Sequence, residues 1–104
     1  MRRLAELTGD HGFVDSLLAH FPGELTGLLE HIRDAAPHDP AMVRRHAHSL
    51  KSSAANLGGT ALAASAARLE TAAAAGTSDL GPLIGELEAV AAATVAALEA
   101  LDAW

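Results

Sequence analysis

PAMVRRHAHSLKSSAANLGGT, Pro40 to Thr60, sets the period of the whole chain. Its apolar positions Val43, Ala47, Leu50, Ala54 and Leu57 recur every three or four residues, which at about 100° per residue gathers them on one stripe of a helix. Gly58 and Gly59 then stop that helix. The same wheel puts His48 about 140° from the centre of the stripe, facing solvent, with Arg44 and Lys51 beside it. Ser52 and Ala55, both small, lie one turn further on.

Helical spacing continues on both sides of this segment. Upstream, Phe13, Val14, Leu17, Leu18 and Phe21 predict a short helix over about 10–20. Pro22 suits the first turn of a second helix over about 22–36, which carries Leu25, Leu28, Leu29 and Ile32 on one face. Pro37 and Pro40 end it, because proline lacks the donor and disfavours helix in the residue before it. After the central helix, about 40–57, Thr60 is read as the cap of a fourth over about 60–75, closed by Gly76. Ser78 or Asp79 opens a fifth over about 79–102, with Leu83, Ile84, Leu87, Val90, Val95 and Leu98 at helical spacing.

Long amphipathic helices joined by short loops make an antiparallel up-down four-helix bundle, with the short N-terminal helix lying across one end. The fold class is therefore all-α, and residues 1–104 read as a single domain. Half the residues are apolar but only three are aromatic, Phe13, Phe21 and Trp104. Such a core is built from Leu, Val, Ile and Ala in closely packed helices.

Composition removes several classes of function. The chain has no cysteine, hence neither disulfides nor thiolate metal sites, and a reducing, cytoplasmic setting is expected. The opening MRRLAELTGD has no apolar run after its arginines, and no stretch of roughly 20 apolar residues is present, so no membrane role is expected. A formal charge of −6 disfavours nucleic acid, whose binding depends on Lys and Arg meeting phosphates. His46 and His48 point about 200° apart on a helix and do not chelate one metal; His11, His20, His31 and His38 are scattered, and no metal site is expected. His46, on the flank of the apolar stripe, is read as a partly buried, hydrogen-bonded side chain.

An exposed imidazole flanked by cations suits nucleophilic attack on phosphorus: a neutral ring nitrogen attacks near pH 7, and Lys51, with Arg44 further off, offsets the charge of the arriving group. The clearing at Ser52 and Ala55 admits another protein's active site. No glycine-rich nucleotide loop accompanies it, so the phosphoryl group must come from a partner.

The string AHSLKSSAANLGGTALAASAARLE, Ala47 to Glu70, resembles the signature of histidine-containing phosphotransfer (HPt) domains, an A-H-x-L-K-G/S-S-x-x-x-G core followed by a helix ending in L-E. The preceding FVDSLLAHFPGELTGLLEHIRDA and the leucine-patterned last helix resemble the family too. The resemblance implies that His48 accepts the phosphoryl group, that Lys51 steadies it, and that Ser52 is the small neighbour whose hydroxyl can hydrogen-bond to ring or phosphate. Most relatives have glycine at the Ser52 position, and many have cysteine where this chain has the core-facing Ala66.

The resemblance further implies a phosphorelay intermediary that takes the group from a receiver-domain aspartate and passes it to another. It would be a covalent carrier without kinase activity or cofactor, the magnesium being held by the receiver. Partners would be response-regulator receiver domains, or a hybrid sensor histidine kinase, docking on Arg44, Ala55 and an apolar patch at Phe13, Leu17 and Phe21. A monomer is expected because the bundle closes its core within one chain. The alternative is a helical bundle that binds a signalling partner without being phosphorylated. Glu70, on the neighbouring helix, reads either as a residue that approaches the rim of the site or as a solvated one, the second reading being preferred.

Overall fold

A computed structural model describes residues 11–102, with side-chain surroundings for Ser16 and residues 19–100. Four helices follow in order: α1 His11–Ala35, α2 Pro40–Asn56, α3 Thr60–Ala74 and α4 Gly81–Asp102. No strand occurs among the described residues. α2 packs most extensively on α3, while α1 packs on α2 and α4 on both α3 and α1, closing a ring of four. The short connections between successive helices make neighbours antiparallel.

One cluster of buried side chains runs through all four helices: Phe21, Leu25 and Ile32 from α1, Val43, Ala47, Leu50 and Ala54 from α2, Leu62, Ala66 and Leu69 from α3, and Ile84, Leu87 and Ala91 from α4. The α2 stripe is the one its spacing predicts, with Leu57 half-buried at its end. Ala47 and Ala54 meet a partner helix carrying buried Ala66 and Ala73, and side chains this small let two backbones approach closely.

The break expected at Pro22 is absent: α1 is one helix from His11 to Ala35, with Pro22 inside it. A separate helix over 10–20 is therefore not seen, and its proposed lie across one end concerns side chains outside the described residues. An interior proline costs about 3 kcal/mol. Phe21 and Leu25 are both buried at i, i+4 spacing and continue to Ile32, so one buried stripe spans the proline. Burying each such side chain contributes about 1.5–3 kcal/mol, enough to outweigh the lost hydrogen bond.

The helix ends follow local chemistry. Asp39 caps α2, its Oδ1 accepting from the Met42 N–H at 3.2 Å, with Pro40 at the first turn. At the other end the Gly59 N–H donates to Ala54 O at 2.8 Å and the Gly58 N–H to Ala55 O at 3.1 Å, a Schellman closure in which Gly58 takes φ +76°. The same pattern closes α3 around Gly76. Thr60 does not cap α3 as expected; it is the first helical residue, and Gly59 precedes it without a side-chain cap. Asp79 closes the last connection, just before α4, by accepting the Gly81 N–H at 3.0 Å.

Candidate functional site

Because Val43, Ala47 and Leu50 are held in the core, α2 cannot rotate, and His48 is left pointing outward with 60% of its side chain exposed. α3 runs back beside it after the tight Gly58–Gly59 turn. Leu69, fully buried, anchors α3 at this level and sets the next residue, Glu70, at the rim facing α2.

Of the two places open to Glu70, the structure gives the rim of the site and not the preferred solvated one. Its Oε2 lies 2.8 Å from His48 Nδ1 and its Oε1 lies 2.6 Å from Lys51 Nζ. Only 22% of the side chain remains exposed. The hydrogen bond from Lys51 is the largest influence on its carboxyl and, joined by a weaker one from His48, holds it below the ordinary carboxylate value against the opposing effect of burial. An ionised carboxylate has no proton to donate, so the hydrogen lies on His48 Nδ1. In the neutral ring Nε2 then carries the free lone pair, and it is on the side of the ring away from Glu70.

The signal for Glu70 was present in the sequence: His48 and Glu70 stand at nearly equal distances from the Gly58–Gly59 turn, so an antiparallel pair brings them level. Lys51 joins them because it follows His48 by one turn on the same face.

Ser52 and Ala55 are both exposed, as the clearing requires, but the hydrogen-bond partner of the imidazole is Glu70 rather than Ser52. On the N-terminal side of His48 an open cleft of 430 Å³ is lined by Ala41, Arg44, Arg45, His48, Ser49 and Glu70. Arg44 was expected here; Arg45 and Ser49 were not singled out.

The expected docking patch is not assembled as proposed. Phe21 is 5% exposed and belongs to the core, where it packs beside the α2–α3 turn, so it offers no surface to a partner. Phe13 and Leu17 lie outside the described side chains. His46 is half-buried, and its neighbour is the His31 ring of α1, stacked at a centroid distance of 5.1 Å, instead of the hydrogen-bond partner expected for it. Among the described residues no group of three or more His, Asp or Glu side chains is placed to hold a metal ion. No helix among them is long and apolar enough to cross a membrane.

The family model for the Hpt domain matches residues 16–104, which includes the site and all the helix that follows it. The chain belongs to the Hpt domain family. Comparison with curated proteins and with solved structures gave no match. As an Hpt domain it takes part in phosphotransfer within two-component signalling, where the partners are receiver domains. In this chain α2 presents an imidazole to solvent, and α3 supplies the carboxylate hydrogen-bonded to its Nδ1.

Proposed function

We propose that this Hpt domain is a phosphorelay intermediary that accepts a phosphoryl group on His48 Nε2 from a receiver aspartate and returns it to the aspartate of another receiver. The observation that carries the reading is the His48 Nδ1 to Glu70 Oε2 hydrogen bond of 2.8 Å, which leaves the outward nitrogen as the nucleophile.

The Nε2 lone pair attacks the phosphorus of the acyl phosphate. As the N–P bond forms, the P–O bond to the aspartate breaks and its electron pair returns to the carboxylate. No proton has to move, because Nδ1 keeps its hydrogen, and the positive charge created on the ring falls beside the Glu70 carboxylate. Lys51 keeps that carboxylate ionised and positioned. The reverse sequence delivers the group to the next receiver. The partner's acidic, magnesium-bearing site provides the remaining machinery, and this chain provides an oriented nucleophile as a monomeric cytoplasmic carrier without kinase activity.

The test is transfer of label from a radiolabelled phospho-receiver to the parent protein and to His48→Gln. Acid-labile, alkali-stable label on the parent and none on the variant is the expected result. Absence of label across a panel of receivers, with the helical fold intact, would replace this reading by that of a bundle that binds partners without phosphorylation.

A further inference from the structure

We propose that Arg44, Arg45 and Ser49 form the site in which the phosphoryl group rests once it is on His48, and that they, rather than Lys51, are its charge partners. The inference deepens the reading of His48 as the phosphorylated residue and rests on it.

Lys51 is already committed. Its ammonium lies 2.6 Å from Glu70 Oε1 and its charge is matched there. Glu70 in turn occupies Nδ1, so the added group is carried by Nε2, the ring nitrogen that does not meet the Lys51–Glu70 pair.

The cleft beside His48 has the composition an oxyanion needs. Arg44 precedes His48 by four residues and Arg45 precedes Ser49 by four, so the two guanidinium groups and the hydroxyl share the face on which the imidazole stands. Ala41, one turn earlier, keeps the cleft open at its far end. Both arginines are exposed, and neither pairs with a carboxylate among the described residues, where the ion pairs are Arg33–Glu88, Arg68–Glu86 and those of Glu70. Among the described residues Glu70 is the one carboxylate lining the cleft, and both of its oxygens are engaged.

Charge counts in the same direction. Arg44, Arg45 and Lys51 against Glu70 leave a surplus of two positive charges, close to the −1.5 to −2 or so carried by a phosphoryl group near pH 7. Guanidinium donors also fit phosphate oxygens in pairs, which a lysine ammonium does not. At 430 Å³ the cleft is near the lower end of the roughly 300–1,000 Å³ typical of small-ligand sites.

The experiment uses a small phosphoryl donor, so that loading does not depend on recognition by a receiver. With phosphoramidate, Nε2 attacks phosphorus, the donor's P–N bond breaks, and its already protonated nitrogen leaves as ammonia, giving phosphohistidine. The phosphorus NMR shift of that phosphohistidine is followed against pH in the parent, in Arg44→Gln/Arg45→Gln and in Lys51→Gln. Nearby cations favour the dianion, so removing both arginines raises the midpoint of the phosphoryl titration by about one pH unit, while Lys51→Gln moves it less. A larger rise in Lys51→Gln than in the double arginine variant overturns the inference and leaves His48 as the carrier. Equal midpoints in all three proteins overturn it as well. A parent that forms no acid-labile adduct on His48 removes the underlying reading, and the inference with it. Circular dichroism of each variant shows that the comparison is made between folded proteins.

Discussion

Replacing Glu70 by Gln keeps the shape of the side chain and removes the charge that links His48 to Lys51. Two effects of different size follow. For stability, the His48 side chain is 60% exposed and Lys51 36%, so solvent screens the pairs and the loss is small, about 0–1 kcal/mol. For phosphoryl transfer the same substitution releases the ring: a Gln amide can accept from Nδ1 or donate to it, so the tautomer with a free Nε2 loses its preference, and the positive ring of the product loses its carboxylate. A charge-assisted hydrogen bond lost in the transition state amounts to about 1.4 kcal/mol, or roughly tenfold in rate.

The pH dependence separates this from a general loss of structure. The folded-state value of Glu70 lies below the ordinary 4.5, so folding favours the ionised form. The stabilisation is complete above about pH 4.5 and disappears as pH falls through the lowered value. Urea unfolding of parent and Glu70→Gln should therefore differ slightly at pH 7 and draw together as pH falls below 4.5, while transfer from a labelled phospho-receiver at pH 7 falls about tenfold. Transfer at the parental rate would refute the role given to Glu70. A stability difference that does not shrink as Glu70 is protonated in acid would refute the electrostatic explanation.

Three further substitutions test the scaffold. Gly58→Ala, forced into φ +76°, should lower stability by about 1–2 kcal/mol in urea unfolding without altering helix content. Ser65→Ala should raise stability by about 1 kcal/mol, because Ser65 Oγ is buried without a hydrogen-bond partner and the hydroxyl is a desolvation cost that alanine avoids. Pro22→Ala should raise the thermal midpoint, since it restores a donor inside a continuous α1; an unchanged or lowered midpoint would favour two helices separated at the proline.

Periodicity carried most of the architecture. The α2 stripe from Val43 to Ala54, the inward Ala66 and the glycine stops at Gly58 and Gly76 were all readable because each depends on neighbours within one or two turns. The errors share a cause as well. Pro22 reads locally as a breaker, yet its helix continues because Phe21 and Leu25 are buried together against other helices. Phe21 reads as a docking residue only when its helix is given an exposed flank, and packing removes that flank.

The site divides along the same line. His48, Lys51, Arg44 and Ser52 lie on one helix, where a fixed angular step relates sequence position to direction, so the residues of one strip predicted an exposed histidine among cations and small side chains. Glu70 lies on another helix, 22 positions away, and its bond to His48 depends on the register in which α2 and α3 pack. That register is decided by Leu50, Leu62 and Leu69 filling one core and by the tight closure at Gly58 and Gly59. Local spacing could nominate the nucleophile; only packing between helices could decide which ring nitrogen is left free to act.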